Sequence, residues 1–550
     1  MQGTTLLAIN QQSREHRMNL QQALVRTRKT ASNTAVPATP AEIGAASPAA
    51  ATTMSGAVLP VAATLFRALD IAGARYGVVQ DIDGLPEALA GRDDMDVLLD
   101  KQDYPAFCSI MAELHGLRGV SLACYDNVCA GREDWFIPDF MRGAYLHIDL
   151  HIGIRIGWEF RKRYLAFDYS KIARWERVSA DGISIPIASV EDEIRMAIAR
   201  FAFRVWTRPW TRWVAVPGYW KEQLSRLPPR AGDEDFHLVE YKFGRGSTMT
   251  CRIRPSDDSF VVHSADLAKL RRSIRHGCGF SEGAGLADAT VHFIRKSSYL
   301  ALRLLGKLVP GAIPAKRCPL TGGLVVALVA PDGLGKSTQV DLLTRAFRWK
   351  FGCAQAYVGT GEGRGWWFRK GLQYLVTSRR RQFKNIVRGD RKDPPSGAKG
   401  KLLAVGLALW GVLIAIERHA VVKRAHRWAT RGQIVISDRW PQALRDGYLD
   451  GPMIPPNLAS VPGLATLARL EQKLYRDMDA CKPHLTLHLV SDFAVSQRRK
   501  PGEISKEGFE ARMALMAELR ARDKDIRAID ASGSAEAVNR ELFKHVWLSL

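Results

Sequence analysis

The chain has 550 residues, of which 46% are hydrophobic and 25% charged, and a formal net charge of +23. The length excludes a single ordinary core and predicts two or three domains, while the composition is that of a soluble globular protein. The charge favours anionic partners (nucleotides, nucleic acid, phosphorylated sugars or anionic lipid) without choosing among them. Eight cysteines show no C-x-x-C pair and no zinc-type spacing, so reduced thiols in a cytosolic setting are expected. The first residues lack a basic stretch followed by an apolar one, so no secretory signal is expected.

In chain order, residues 1–56 read as a disordered tail, rich in Ala, Pro, Thr and Ser from Thr30 onward, with an isolated helix around Met18–Arg26 as an option. Val58–Ala72 has helical apolar spacing. Tyr76–Val79 and Met95–Leu99 read as strands, Tyr104–Leu114 as a helix, and Tyr145–Ile152 as a strand with strict alternation. Asp94 and Asp96, two residues apart, share one strand face. Asp149 from a neighbouring strand could join them, giving three carboxylates able to hold Mg²⁺ and position a nucleotide triphosphate. His147 and His151 would lie on the same face. Surface loop carboxylates are the plainer alternative.

Ser189–Phe203 predicts a helix capped by Ser189 with Asp192 three residues on. Trp206, Trp210, Trp213 and Trp220 then alternate with Arg. A helical core face is preferred for them over a nucleic-acid surface. Leu227–Arg254 carries no clear pattern. Leu267–Arg275 and Ser297–Leu308 predict basic amphipathic helices, the second read as an interdomain linker in preference to a contact with an anionic membrane. Pro310, Pro314 and Pro319 mark the passage into the second half.

Leu324–Val329 is a short apolar run of the buried parallel-strand kind. It leads through Pro331, Asp332, Gly333 and Leu334 into Gly335-Lys336-Ser337-Thr338 and a segment of helical spacing. Strand, glycine loop and helix start are the context of a phosphate-binding P-loop. Gly333 and Gly335 let backbone N–H groups turn inward, and the helix start directs its positive end at phosphate. Lys336 would reach the β- and γ-phosphates, and Ser337 would ligate Mg²⁺, with Thr338 in that role only if the register slipped by one. Ala330 stands where the motif has its first glycine, which predicts a modest distortion of the loop.

Ala354–Val358 reads as a second strand. Ser378–Lys392 is strongly basic, and the segment after it reads as a loop. Leu402–Ile416 is 15 apolar residues, short of the ~18–20 that span a bilayer, and reads as a buried helix. Gln433–Ser437 is a third strand, with Asp438 and Arg439 at its C-terminal end, where open α/β sheets bind ligands. Asp438 can serve Mg²⁺ there, and Arg439 can fork onto an anionic acceptor. His484–Val490 is a fourth strand, and Arg498 and Arg499 after it can close over a transferring phosphoryl group. Ile526–Ile529 is a fifth strand, and Ala535–Leu548 the last helix. Repeated strand–helix units predict a parallel sheet.

Two resemblances sharpen this reading. Residues 322–550 resemble the thymidylate kinase family of P-loop nucleoside monophosphate kinases, on Pro331–Gln339, Asp438-Arg439, Arg498-Arg499 and Ile529-Asp530-Ala531-Ser532. The resemblance implies ATP and Mg²⁺ as cofactors, Lys336, Asp438, Arg439, Arg498 and Arg499 as catalytic residues, and Ala531 and Ser532 beside adenine. The acceptor-setting Arg-Glu-Pro-Gly-Gly-Thr motif of thymidylate kinases is replaced by Val358-Gly359-Thr360-Gly361-Glu362, so phosphoryl transfer is implied more firmly than thymidylate as acceptor. Residues 58–230 resemble nucleotidyltransferase-like domains of bacterial polysaccharide gene clusters, on Tyr76–Val79, Gly84-Leu85-Pro86, Gly91–Leu99 and Ile148–His151, which implies an α+β fold with Asp94, Asp96 and Asp149 as metal ligands. That superfamily's early Gly-Ser has no counterpart here, so a substrate-binding domain stays open.

The expected layout is a tail (1–56), a nucleotidyltransferase-like domain (57–230), a helical linker region (231–321) and a P-loop kinase domain with a five-stranded parallel sheet (322–550). Expected partners are a nucleotide and an anionic small-molecule acceptor. Peripheral contact with membrane polysaccharide machinery and a homodimer are further options, nucleic acid is not expected, and the expected location is cytoplasmic. A non-catalytic ATP-binding regulator is the third class of function kept open.

Overall fold

The computed structural model describes residues 58–79, 84–120, 132–158, 163–167, 175–180, 182–204, 213–216, 236–242, 248–255, 260–277, 286–308, 316–359, 397–454 and 463–550. The expected tail, Trp206, Trp210, Trp220 and the basic segment Ser378–Lys392 lie outside these described residues. The N-terminal lobe opens with α1 (Pro60–Ile71), started by a proline that needs no N–H partner and burying Ala62, Leu65, Phe66 and Leu69 at helical spacing. There follow β1 (Tyr76–Val78), α2 (Leu85–Leu89), β2 (Asp94–Leu99), α3 (Tyr104–Glu113), β3 (Leu117–Val120), β4 (Arg132–Asp139), β5 (Ala144–Ile152), the hairpin β6 (Ile154–Trp158) and β7 (Arg163–Phe167), β8 (Trp175–Ala180) and β9 (Ile183–Ala188).

Alternation decides the two faces of this sheet. Met95, Val97 and Leu99 of β2 and Leu146, Ile148 and Leu150 of β5 enter one apolar core with Leu65, Phe66 and Phe107 from α1 and α3. The intervening residues, Asp94, Asp96, His147, Asp149 and His151, therefore point to the other face. β2 and β5 pair in parallel, with Asp94 opposite His147 and Asp96 opposite Asp149. β4 runs antiparallel on the far side of β5 and brings Asp134 opposite Asp149.

Two expectations for the middle of the chain are corrected. Residues 231–321 are not simply helix and linker. β10 (Trp213–Val216), β11 (His237–Lys242), β12 (Thr248–Pro255) and β13 (Phe260–His263) form an antiparallel sheet in the order β10-β13-β12-β11. Val239, Tyr241, Cys251 and Ile253 from its strands share a core with Ile194 and Ile198 of α4 (Val190–Arg204) and with Leu267, Leu270 and Ile274 of α5 (Ser264–Gly277). The alternation that buries Val239 and Tyr241 spans one short strand, too little to stand out in sequence. Trp213, read as part of a helical face, is in β10, where Arg254 stacks over its ring at 4.5 Å. The α4 cap is as expected: Ser189 Oγ accepts from the Asp192 N–H at 3.2 Å. A long helix, α6 (Leu286–Leu308), follows.

The C-terminal lobe is a parallel α/β sandwich. β14 (Cys318–Pro319) leads into β15 (Leu324–Val329), α7 (Lys336–Arg348), β16 (Cys353–Tyr357), α8 (Gly397–Thr430), β17 (Ile434–Asp438), α9 (Leu464–Ala480), β18 (Leu485–Val490), α10 (Phe493–Arg499), α11 (Lys506–Arg522), β19 (Ile526–Asp530) and α12 (Ala535–Trp547). The strand order is β16-β17-β15-β18-β19, all parallel. β15 is buried along its whole length, as a central parallel strand must be. Leu324, Val326 and Leu328 face α7 and α12, whereas Val325, Ala327 and Val329 face α8, α9 and α11. α8 is long and apolar enough to cross a membrane over Ala404–Thr430, yet half of its apolar 18-residue stretch is buried against the lobe, and Leu407, Ala408, Ile414 and Ala415 are core residues.

The two lobes share an interface. β14 pairs antiparallel with β3 and so extends the N-terminal sheet to the order β14-β3-β4-β5-β2-β1-β9-β8. Phe136 and Tyr145, on the acidic face of that sheet, join the core of the P-loop lobe with Phe347, Phe351, Phe543 and Trp547. The rings of Phe136 and Phe351 lie 4.5 Å apart, and those of Tyr145 and Trp547 5.4 Å. Tyr145 donates to the Ala346 carbonyl at 3.1 Å and accepts from the Lys350 N–H at 3.2 Å. Trp547 donates to the His115 carbonyl at 2.9 Å. Aromatic rings with every polar tip paired make a rigid seam.

Candidate functional site

The P-loop turns out of β15 through Ala330 and Pro331. Among the described non-glycine residues four have positive φ, and Ala330 is not one of them, so a Cβ at this position needs no strained backbone. Gly333 and Gly335 are left-handed, at φ 90° and 80°. A Cβ on Gly333 would come within 2.4 Å of Ser496 Oγ, so only glycine fits beneath α10. Ser496 Oγ donates to the Asp332 carbonyl at 2.9 Å and ties α10 to the loop. Gly335 is the N-cap of α7, whose first turn carries Lys336 and Ser337.

Lys336 is buried with its Nζ 3.6 Å from Asp438 Oδ1, and Ser337 Oγ donates to Asp438 Oδ2 at 3.1 Å. Ser337, and not Thr338, makes this contact. Asp438 Oδ1 is buried and accepts no hydrogen bond. An acceptor-only oxygen in that position, next to a hydroxyl, is a donor set of the kind Mg²⁺ takes, so Ser337 and Asp438 fit the ion that the fold implies. Burial, with Arg439 nearby, pushes the Lys336 ammonium below the ordinary lysine range.

Arg439 lies between two carboxylates, donating to Asp332 Oδ1 at 3.0 Å and to Asp450 Oδ2 at 3.4 Å. Burial works against its charge, but Asp450 and Asp332 outweigh that and raise it further above its ordinary value. Burial likewise pushes the Asp332 carboxyl up, and Arg439, Arg512 and Lys336 more than offset it, holding it below the usual carboxylate range. Arg439, Leu449 and Asp450 all have positive φ, at 76°, 41° and 60°. Strain of this kind persists where surrounding contacts fix it, and here the buried Arg418 does so. It donates to the Asp450 carbonyl at 2.9 Å, to Asp450 Oδ1 at 2.6 Å and to the Val358 carbonyl at 3.0 Å, and also binds the Tyr475 hydroxyl.

Arg499 Nη1 reaches the Leu334 carbonyl at 3.4 Å and its Nη2 the Gly533 carbonyl at 2.8 Å, so it bridges the P-loop to the last loop. Arg498, on the same helix, is exposed. Ala531 is buried in the core beside the loop, and Ser532 is exposed, its N–H bound to Asp530. Sequence reading missed Asp450, Arg418, Arg512 and Ser496. Leu449-Asp450-Gly451, a turn-like run closely following Asp438-Arg439, was the available signal for Asp450; the other three sit in helices with no motif to mark them. An open cavity of about 370 Å³ lies on the α8–α9–α11 side of the sheet, lined by Trp440, Gln442, Thr486 and His488 and by none of Lys336, Ser337 or Asp438.

Asp94, Asp96 and Asp149 share one face of the N-terminal sheet, with Asp134 as a fourth member that sequence reading missed, but Asp94 is not part of the close cluster of ligand atoms, where His151 stands instead. Asp96, Asp149 and His151 have ligand atoms within 4.8 Å of one another. Every carboxylate in the row already has a cationic or imidazole partner. Arg132 forks onto Asp149, with Nε 2.8 Å from Oδ1. His151 Nε2 is 2.8 Å from Asp96, and His147 lies 2.9 Å from both Asp94 and Asp134. Two partners come from the other lobe: Lys350, just past α7, binds Asp94, and Arg317, just before β14, binds Asp134 at 2.7 Å. Burial raises the Asp94 and Asp134 carboxyls, but His147 with Lys350, and His147 with Arg317, reverse the effect and hold both low.

No protein-family profile matches the chain. It is similar to an uncharacterized ATP-binding protein, YghR, of Escherichia coli K12, at 28% identity over 209 residues, covering 36% of this chain and 81% of that protein. A second uncharacterized ATP-binding protein of that strain, YghS, is 26% identical over 179 residues, covering 32% and 73%. Among solved structures, thymidylate kinase from Candida albicans aligns with 41% of this chain and 91% of its own, at 14% identity and a TM-score of 0.25. Thymidylate kinase from Ehrlichia chaffeensis aligns with 41% and 98%, at 15% and 0.23. The C-terminal lobe is a P-loop α/β domain. That statement rests on its own strand order, glycine loop and helix start, with the phosphate loop at the carboxyl end of the central strand.

Proposed function

We propose that the C-terminal lobe is an ATP- and Mg²⁺-dependent phosphotransferase of the nucleoside-monophosphate-kinase type. The observation that carries this reading is the meeting of Lys336, Ser337 and Asp438, with one buried Asp438 oxygen accepting no hydrogen bond. ATP as donor is supported by the similar proteins named as ATP-binding. The loop amides and Lys336 hold the phosphate chain and keep water from it, while the start of α7 offers its positive end. Bound Mg²⁺ would neutralise charge on the transferring phosphoryl group. Arg499, already at the loop, is placed to follow the charge that builds during transfer, whereas the exposed Arg498 would have to swing inward to do so.

An anionic acceptor is favoured by Arg439 and Arg512, whose present partners, Asp332 and Asp450, it would compete with for the guanidinium groups. The two-part layout resembles proteins of polysaccharide gene clusters, which supports sugar phosphates as well as nucleotides as acceptor candidates, and a cytoplasmic setting with membrane polysaccharide machinery nearby. Nucleotidyl transfer at Asp96, Asp149 and His151 is the second reading, favoured by the closeness of those three groups. Arg132, Lys350 and Arg317 would have to leave the row before a triphosphate and its metal could enter.

The deciding experiment is ADP formation by the purified chain with Mg²⁺-ATP across nucleoside monophosphates, sugars and sugar phosphates. Acceptor-stimulated ADP that vanishes in Lys336→Ala is expected. ATP binding with no stimulation by any acceptor would overturn the kinase reading and leave a regulator. Pyrophosphate release lost in Asp96→Asn would favour the second reading.

A further inference from the structure

α6 carries the largest unburied apolar surface among the described helices. Phe293 is 70% exposed, Ile294 56%, Leu300 52%, Leu304 57%, Leu305 45% and Leu308 69%. At 100° per residue these six positions fall within an arc of about 140°, the width that an ordinary surface helix turns toward a core. The neighbouring α5 shows that ordinary outcome. It is equally basic, with Lys269, Arg271, Arg272 and Arg275, yet it buries Leu267, Leu270 and Ile274 almost completely.

The rest of the α6 sequence says what such an arc suits. Positions 295, 296, 303 and 307 are Arg, Lys, Arg and Lys, all outside the arc, and position 288, Asp, is the helix's one acid, which leaves a net charge of four minus one, or +3. Positions 296 and 307 fall within about 40° of one edge of the arc, where lysine stems can lie along an apolar surface and lift their ammonium groups to its polar boundary. A second copy of the helix is a poor occupant. With 286, 293 and 300 as one row of a heptad seam, the other row would be Ala289, Lys296 and Arg303 or, in the alternate spacing, Thr290, Ser297 and Leu304, neither of them apolar throughout, and two +3 helices would repel. Spanning a bilayer is excluded by the same four cations. An apolar arc of Phe, Ile and Leu backed by Lys and Arg fits the plane where acyl chains meet anionic headgroups.

We propose that α6 is an in-plane amphipathic anchor that seats the chain on a bilayer surface carrying anionic lipid. It lies outside the P-loop and the acidic row, so the proposal stands or falls apart from the kinase reading. The test uses the full chain and vesicles of phosphatidylcholine, alone or with about one-third phosphatidylglycerol. Sedimentation with the anionic vesicles is expected, weakening as salt is raised, and falling at least about tenfold in Leu300→Asp/Leu304→Asp. Lys296→Glu/Arg303→Glu should lose the preference for anionic over neutral vesicles. Phe293→Trp should show a blue-shifted emission on the anionic vesicles and not on neutral ones. Because these side chains carry no core, circular dichroism of the variants should match the parent. Binding that is absent, or unchanged in Leu300→Asp/Leu304→Asp, would overturn the proposal; the latter result would shift attention to the exposed Val405, Leu409 and Ile416 of α8. It would equally be overturned if the same substitutions turned a dimer into a monomer in sedimentation equilibrium without affecting vesicle binding.

Discussion

The P-loop and the acidic row both gather aspartates and cations, yet they differ in what is left unsatisfied. In the P-loop a buried lysine faces a carboxylate at 3.6 Å, too far for a hydrogen bond, and one oxygen of that carboxylate accepts none. In the acidic row each of four carboxylates has a partner at hydrogen-bond distance. Charge that stays uncompensated in the resting protein is charge that a ligand can compensate. Charge already neutralised across the lobe boundary holds lobes together. Residue type and spacing, identical in kind at the two places, do not separate a site from a clamp; the partners do.

The comparison breaks first if the P-loop is not where turnover happens. Lys336→Ala and Asp438→Asn should each lower acceptor-stimulated ADP formation by about two to three orders of magnitude, since each removes charge stabilisation from the transferring group. Initial rates of ADP release at saturating acceptor measure it. Next in size is the clamp. Lys350→Ala leaves the half-buried Asp94 with His147 alone, and should cost about 1–3 kcal/mol in chemical denaturation. A double-mutant cycle with Asp94→Asn should return a coupling of at least about 0.5 kcal/mol. Additive effects of the two substitutions would mean that the contact across the lobes is incidental.

Smaller again is the loss from Tyr145→Phe, which removes the bond to the Ala346 carbonyl and leaves that oxygen and the Lys350 N–H short of a partner. About 1 kcal/mol is expected from denaturant unfolding, with the aromatic packing untouched. A null result would locate the strength of the seam in ring packing alone.

The range of each interaction decided how legible it was in the sequence. The P-loop was readable because strand, glycine turn, Lys336 and Ser337 are contiguous, and their roles are fixed by local backbone. Asp438-Arg439 was readable because it ends an unmistakable buried strand. Asp94, Asp96 and Asp149 were readable as one face because alternation is local to β2 and β5, and parallel pairing then puts Asp96 beside Asp149. What was not readable is who meets them. Lys350 is 256 residues from Asp94 in sequence, and Arg317 sits in a stretch that reads only as linker. Asp134 was hidden because β4 has no motif. The β10–β13 sheet was lost because its strands are short: Val239-Glu240-Tyr241 and Cys251-Arg252-Ile253 alternate as half-buried strands do, but over too few residues to stand out.

The finest test of the comparison is pH: stability should rise with pH at both places, in the acid range at the acidic row and in the alkaline range at the P-loop, from contributions that have opposite signs at neutral pH. Asp94 and Asp134 have folded-state carboxyls below the ordinary range, so the stability they lend is complete above that range and is lost as pH falls through their folded values. The stability gap between the parent and Lys350→Ala should thus be flat from about pH 8 to 5 and narrow below about pH 4. Lys336 acts in a different pH range, and what it contributes at neutral pH is a cost. Its folded ammonium lies below the ordinary lysine value, so between the folded and unfolded values the unfolded chain holds more protons, and stability rises as pH rises. At neutral pH the buried charge of Lys336 therefore works against folding. Lys336→Met, similar in length and without the charge, should be more stable than the parent at neutral pH, by a margin that shrinks as pH climbs toward about 10. Measured by denaturant unfolding in parallel with Lys350→Ala, the two stability differences at neutral pH give the two cations opposite signs: one retained for the stability it adds, the other kept in spite of the stability it removes, as expected where binding and not folding is what the residue serves. A Lys336→Met protein that is less stable than its parent at neutral pH would place both cations in the same structural class and undo the distinction.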